Sequence, residues 1–329
     1  MKLIAEIGQV HEGSLGLALK YVEELAKRNI KTVKFQMHLA DYESSDYEMW
    51  RVPFSKQDAK RSDYWRRTGF TFEQWQILFD YCLELDVEFL CTPFSLKAVD
   101  YLEKLGVKRY KVGSADWNNL PLLEYISMTG KPTIISTGLA DLDVLQNILS
   151  EVFHSMYDLE LMYCVTAYPA PPETIDFSNI GKLKKKFNCN IGYSDHSGEH
   201  LTGVAAFLNK AHSYEFHITN SYANFGPDVK ASLDFDGLSK LQKSIEYISK
   251  LGLTPQSNQD KKYVSKVFSR SLGVRDTINK GEIITMKNIE VKKPGGIGIH
   301  VEFFSSVIGR TVNKDLKVGD FITAGDLDD

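Results

Sequence analysis

The sequence predicts an α/β protein, a (β/α)8 barrel followed by a small β-rich unit, and three observations predict it. From Leu3 onward, short β-rich runs alternate with helical ones, the pattern of parallel βα units. Eight such runs fall within about 220 residues, the size and strand count of a closed barrel. Near Gly252 the alternation stops, and a β-rich segment with an internal repeat takes over. A doubly wound parallel sheet is the runner-up.

The eight expected strands are LIAEIG from Leu3, KTVKFQMH from Lys31, EFLCTPF from Glu88, RYKVGSAD from Arg109, PTIISTG from Pro132, LELMYCVTAYP from Leu159, NIGYSDHS from Asn190 and SYEFHIT from Ser213. The first helix is expected after Ser14, a suitable N-cap, with Leu15, Leu19, Val22, Leu25 and Ala26 on one face. From Ala40 to Phe70, aromatic and charged residues crowd together without a period. This stretch is expected to be a long loop, a lid or an oligomer contact. The polar run LTPQSNQDKKYVSK is expected to be a linker, giving a barrel over 1–252, a linker over 253–269 and a small unit over 270–329. In that unit GEIITMKNIE, from Gly281, is echoed by GDFITAGDLD, from Gly319. At about 60 residues its core is thin.

Composition narrows the function classes. With 43% hydrophobic residues, 25% charged residues and a net charge of -4, the chain reads as an ordinary soluble protein with no nucleic-acid partner. Glu6 interrupts the N-terminal apolar run, so no membrane segment is expected there and the expected location is the cytoplasm. Cys82, Cys91, Cys164 and Cys189 lack CxxC spacing and read as reduced thiols.

Chemistry-bearing residues gather at the strand ends. Glu6 ends the first, Lys34, Gln36 and His38 the second, Thr92 the third, and Lys111, Ser114 and Asp116 the fourth. Ser136 and Thr137 end the fifth, Thr166 and Tyr168 the sixth, Ser194, Asp195 and His196 the seventh, and His217 the eighth. In a barrel these positions share one rim. Lys34 and Lys111, ringed by the hydroxyls of Thr92, Ser114, Ser136 and Ser194, suit a phosphate or carboxylate. His196 and His217, emerging from neighbouring strands, suit one divalent metal with coordination positions left open. The bland reading of each residue stands beside this: a lysine paired with Glu6, a hydroxyl capping a turn, a hydrogen-bonded structural histidine.

The segments AEIGQVHEGS, VKFQMH, FLCTPFS, YKVGSAD, IISTG, CVTAYPAPPE, IGYSDHS, EFHIT and FGPDVKASL together resemble the sialic acid (N-acetylneuraminate) synthase family, over nearly the whole chain. The resemblance implies condensation of phosphoenolpyruvate with an N-acyl mannosamine-type sugar, on a barrel followed by an antifreeze-like (SAF) domain. It implies Mn2+ on His196 and His217, with Mg2+ or Co2+ as alternatives, and catalytic roles for Glu6, Lys34 and Lys111. Thr92, Ser114, Ser136 and Ser194 match phosphoenolpyruvate positions, and Gln36, Tyr168 and Asp228 match sugar positions. A domain-exchanged homodimer is implied too. The sequence also departs from the pattern. Lys293 stands where many members carry an Arg that crosses from the partner subunit to the sugar's acyl group, and Lys cannot form a planar fork. Val10 and Thr166 each replace an Asn, Asp116 replaces a Glu, and the stretch from Asn209 departs from Leu-Gly-Ala. A legionaminic-type synthase using a 2,4-diacetamido-trideoxy hexose is the alternative, and a catalytically inactive sugar-binding barrel a further one. A synthase for a phosphorylated sugar would need extra arginines at the rim, and the strand ends supply none.

Overall fold

The computed structural model describes residues 1–153, 159–251 and 257–328, so Gly252 and Pro255 at the expected barrel–linker boundary lie outside the described residues. The chain divides into two compact units, Met1–Ser249 and Lys250–Asp329.

The first unit is a closed parallel barrel. Its strands are β1 (Lys2–Glu6), β2 (Thr32–Met37), β3 (Glu88–Pro93), β4 (Tyr110–Val112), β5 (Thr133–Ser136), β6 (Leu159–Cys164), β7 (Asn190–Asp195) and β8 (Ser213–Ile218). Each pairs in parallel with the next, and β8 returns to pair with β1. A short β9 (Ser232–Leu233) extends from β8. Apolar residues on the outer faces of the strands meet those of the helices in one continuous core that includes Phe35, Trp75, Leu102, Leu161 and Phe216. The first helix, Leu15–Lys27, starts where Ser14 Oγ accepts the Leu17 amide at 3.2 Å, and it buries Ala18, Tyr21, Val22 and Leu25.

Inside the barrel the alternation of strand side chains builds layers. Ile4, Leu90, Ile134 and Met162 pack into an apolar plug. Two residues further along the same strands come Glu6, Thr92, Ser136 and Cys164, which lie above the plug at the carboxyl end. Below the plug, Arg109 grips Glu88 through bonds of 2.6 and 2.7 Å. Arg109 and Glu88 also line a cavity of about 770 Å3 at that opposite end.

Two expectations need correction. The stretch from Ala40 to Phe70 is not one loop: it contains the helices Ala40–Glu43 and Arg61–Thr68. The second helix buries Tyr64 and Trp65 in its own small cluster, a tertiary contact with no repeating sequence signal. The expected linker contains the helix Asn258–Phe268, capped by Ser257 Oγ accepting the Asp260 amide at 3.0 Å. None of that helix's residues is buried, so no apolar stripe announced it.

In the second unit the repeat is visible bond by bond. The Thr285 amide donates to Asn288 Oδ1 and the Thr323 amide to Asp326 Oδ2, each at 2.8 Å. The Asn279 amide donates to Glu282 (2.8 Å) and the Lys317 amide to Asp320 (2.7 Å). Gly281 and Gly319 take the left-handed turn position in each copy, at φ 87° and 98°. Ile284 and Ile322 are the matching buried residues. Among the described residues, no helix is long and apolar enough to cross a membrane.

Candidate active site

Strand register assembles the polar layer above the plug. Glu6 of β1 sits beside Lys34 of β2 and His217 of β8, and Ser194 of β7 sits beside Glu215 of β8. Glu6 is fully buried. Its Oε1 accepts the Gly8 amide at 2.7 Å, and its Oε2 accepts from Lys34 Nζ and, at 3.4 Å, from Gln36 Nε2. Glu6 is therefore paired with Lys34 from the start.

The two lysines expected to await an anion already share one. Lys111 Nζ is 3.3 Å and Lys34 Nζ 3.4 Å from Glu215 Oε1, which also accepts from Ser194 Oγ at 3.1 Å. Lys111 donates to Ser136 Oγ at 2.8 Å. Burial alone would raise the Glu215 carboxyl, but Lys111 and Lys34 overcome it and hold the group ionised. Burial lowers the Lys34 ammonium to about 8, against the opposing pull of Glu215. Glu215 was missed in the sequence reading, although strand periodicity puts it on the same face as His217, two residues on.

Beside this cluster, Ser114 Oγ accepts the Leu139 amide at 2.9 Å and lies 3.4 Å from Thr166 Oγ1. A Cβ on Gly138 would stand 2.4 Å from Thr166 Oγ1, so the absent side chain keeps this corner open. Thr92 is buried on β3, opposite Gln36 in register. Ser114 and Asp116 follow β4 on a single 3-10 turn, and Thr166 and Tyr168 lie beyond the end of β6.

His196 and His217 stand with ring centroids 5.6 Å apart. His196 Nδ1 donates to the Val165 carbonyl at 2.8 Å, leaving the Nε2 lone pair facing the Tyr168 hydroxyl at 3.0 Å. Burial lowers both imidazoles, His196 to about 3 with His217 adding to the effect, so both are neutral. A neutral imidazole whose outer nitrogen is fixed by a carbonyl is the form that binds a metal. His196 has that form, and His217, neutral and with its ring centroid 5.6 Å away, could share a divalent ion with it. Among the described residues no group of three or more His, Cys, Asp or Glu side chains is arranged to hold one, so the remaining ligands would come from water and substrate. Asp195, grouped with this rim in the sequence, points the other way and accepts from Tyr214 and Thr202 in the outer layer.

The segment after β2 closes the mouth. A cavity of about 250 Å3 is lined by Gln36, Ser114, Thr166, Tyr168, His217 and Asp228, together with Trp50, Arg51, Phe54, Arg61 and Trp65 from that segment. His38 is sandwiched between Trp65 and Phe94, with centroids at 3.7 and 4.2 Å, and its Nε2 is 3.4 Å from Gln36 Oε1. Arg51 reaches Asp228 Oδ1 at 2.5 Å and lies 3.7 Å above the Tyr168 ring. The strand ends indeed supply no arginine, but Arg51 and Arg61 reach the rim by this route. Nothing in the local sequence signals it. Lys293 belongs to the second unit, where its Nζ stands 5.5 Å from the Phe268 ring.

Comparison with known proteins identifies the family. The NeuB family model matches residues 21–254 and the SAF domain model residues 269–328. N,N'-diacetyllegionaminic acid synthase of Campylobacter jejuni is 31% identical, over 97% of this chain and 98% of its own. Human N-acetylneuraminate-9-phosphate synthase is 29% identical, over 97% of this chain and 90% of its own. The crystal structure of N-acetylneuraminic acid synthetase from Leptospira borgpetersenii superposes with a TM-score of 0.67 at 26% identity, over 80% of this chain and 90% of that one. With the family model spanning most of the barrel and the second model spanning the repeat unit, the chain belongs to the NeuB family of sugar-acid synthases and carries a C-terminal SAF domain.

Proposed function

We propose that the enzyme joins phosphoenolpyruvate to the open-chain aldehyde of an unphosphorylated N-acyl amino sugar, releasing phosphate and a nonulosonic acid. The methylene carbon of phosphoenolpyruvate forms the new bond to the aldehyde carbon. Water adds at the second carbon, whose bond to the phosphate oxygen then breaks, so one water is consumed per phosphate released. The observation that carries this reading is the adjacency of Lys34, Lys111, Ser136 and Ser194 to the neutral His196–His217 pair across β8 and β1.

Lys34 and Lys111 would hold the phosphate and carboxylate of phosphoenolpyruvate, with Thr92, Ser114, Ser136, Thr166 and Ser194 as hydroxyl partners. Gln36, Tyr168 and Asp228 would orient the sugar. Glu6, hydrogen-bonded to Gln36, would hold or move the proton at the reacting oxygens. A divalent ion, Mn2+ in this proposal, would supply Lewis-acid polarisation of the aldehyde when bound to His196 and His217. A homodimer in which Lys293 serves the partner's sugar belongs to the same proposal, and full activity in a monomer by light scattering would remove it.

The charge balance favours an unphosphorylated acceptor. The human relative is named for a phosphorylated product. Here Arg51 is matched by Asp228, and Arg61 by Glu48 at 3.2 Å. Neither rim arginine is left for a second phosphate. A second reading, a 6-deoxy diacetamido acceptor, draws on the aromatic wall of Trp50, Phe54 and Trp65, which suits a methyl group.

The test is phosphate release from phosphoenolpyruvate with Mn2+ and three sugars: N-acetylmannosamine, its 6-phosphate, and 2,4-diacetamido-2,4,6-trideoxymannose. Turnover of an unphosphorylated sugar is expected. Turnover confined to the 6-phosphate would overturn the acceptor assignment, and none with any sugar would favour the inactive barrel.

A further inference from the structure

His38 has no part in the reaction proposed above, yet the fold fixes its ring on both faces and at both edges. It is 6% exposed. Trp65 and Phe94 stack on the two faces at interplanar angles of 10° and 8°. At one edge Nδ1 lies 2.5 Å from Oε1 of Glu43, on the short helix Ala40–Glu43, and the two groups share a proton. At the other edge Nε2 lies 3.4 Å from Gln36 Oε1. Stacking would hold any flat ring. The edge contacts call for a nitrogen at each end.

A second observation says what the ring is held for. Gln36 Nε2 donates to Glu6 Oε2 at 3.4 Å. Glu6 accepts at both of its oxygens, so this bond assigns the amide: Nε2 faces Glu6 and Oε1 faces His38. That Oε1 is only an acceptor, so His38 Nε2 donates to it. Turned end for end, the amide would set its carbonyl oxygen against the Glu6 carboxylate, with no proton between them. A hydrogen-bonded chain therefore runs from Glu43 through His38 and Gln36 to Glu6, from the segment after β2 to the buried acid of the polar layer.

We propose that His38 is a positioning residue, which sets the Gln36 amide and through it the carboxylate of Glu6, while Glu43 and Trp65 hold His38 in place. Resting on the synthase reading above, this gives the segment after β2 a part in aligning the reacting groups as well as in covering them.

The test measures phosphate release, with whichever of the three sugars the wild type turns over, in His38→Phe, His38→Gln, Gln36→Leu and the double variant His38→Phe/Gln36→Leu. His38→Phe keeps the stacking and loses both edge contacts; its kcat/KM for the sugar is expected to fall about tenfold or more, the scale of a small misplacement, with KM for phosphoenolpyruvate within about twofold of wild type. His38→Gln keeps a donor toward Gln36 and is expected to recover most of that loss. The double variant should be no worse than Gln36→Leu alone, because His38 acts through Gln36. Additive losses, or an active His38→Phe beside an inactive His38→Gln, would overturn the proposal and leave His38 a stacking residue. Circular dichroism and thermal melting check the fold; if His38→Phe is lost, Glu43→Ala takes its place in the double-variant comparison. If the wild type turns over no sugar, the synthase reading fails by itself. The positioning role is then tested by the side-chain amide NMR signals of Gln36, identified by their loss in Gln36→Leu. Their exchange with solvent is expected to be at least tenfold faster in His38→Phe than in wild type, and an unchanged rate would end the proposal.

Discussion

Lys111 Nζ lies 3.3 Å from Glu215 Oε1, and through that one oxygen Glu215 also faces Lys34 at 3.4 Å. One carboxylate thus holds two buried ammonium groups at the barrel mouth, while its second oxygen has no partner. Such a cluster is poised to exchange anions: a phosphate entering the site would meet two cations already in place.

Glu215→Gln should therefore destabilise the protein by about 3–5 kcal/mol, the cost of leaving buried charge uncompensated. The same substitution should make stability more dependent on anions. Thermal melting with and without inorganic phosphate checks both effects. The phosphate-induced rise in Tm is expected to be larger in the variant than in wild type, and an equal or smaller rise would show that Glu215 is not the stand-in anion.

His217→Ala should remove one of two metal-binding nitrogens. Metal content after dialysis against Mn2+, read by atomic emission, is expected to fall at least tenfold relative to wild type, since even an outer-shell partner is worth 10- to 100-fold in affinity. Chelation of the wild type should abolish phosphate release and re-addition restore it. Unchanged metal content in the variant would rule out the ligand role.

The barrel was legible because its signals are local and periodic. Each of the eight expected strands forms and starts within one residue of its expected position, and Glu6, Lys34 and Lys111, expected together at one rim, are all buried there. The mouth was less legible. Glu215 could have been found from its spacing to His217, but Arg51 gains its place from contacts across the fold. The span between Arg51 and Asp228 is 177 residues, and no periodicity in either segment records it. The helix Arg61–Thr68 stayed hidden for the same reason, since Tyr64 and Trp65 are buried by neighbours rather than by a repeating stripe.

His11 gives a sign to the acid dependence of stability. It is almost fully buried against Phe70, with ring centroids 4.5 Å apart, and its Nδ1 accepts the Gly13 amide at 3.1 Å. Burial, with His38 adding to it, lowers its pKa from 6.5 to about 3. Between those two values the unfolded chain binds the proton and the folded chain does not, so stability falls as pH drops below about 6.5. From pH 6.5 to 5 this single group should cost about 1.5 kcal/mol. Urea unfolding at the two pH values checks it against His11→Phe, which keeps a stacking ring and does not titrate. The variant should lose less stability by that amount, and equal losses would place the acid sensitivity elsewhere.

The last prediction concerns the segment that carries Arg51. Gly13 sits at φ +80°, and a Cβ there would stand 2.7 Å from the Arg67 carbonyl oxygen and 3.2 Å from Thr68 Cα. Both obstacles are backbone of the helix Arg61–Thr68, so relief requires the helix to move. That helix is bound to the same turn by side chains as well: Tyr64 donates to Glu12 at 2.9 Å, and Arg67 bridges Glu12 and Asp58 at 3.1 and 2.8 Å. Gly13→Ala combines a left-handed backbone cost of about 1–2 kcal/mol with an overpacking cost of about 1–3 kcal/mol, so a loss of about 2–5 kcal/mol in urea unfolding is expected. Because the displaced helix carries Trp65 and follows Trp50 and Arg51, the mouth should loosen too. Limited proteolysis should cut between residues 44 and 60 faster than in wild type, and KM for the sugar should rise more than KM for phosphoenolpyruvate, whose proposed lysines stand on the strands. A stable variant cut at the wild-type rate would mean that the contact between Gly13 and Arg67 does not hold the mouth closed.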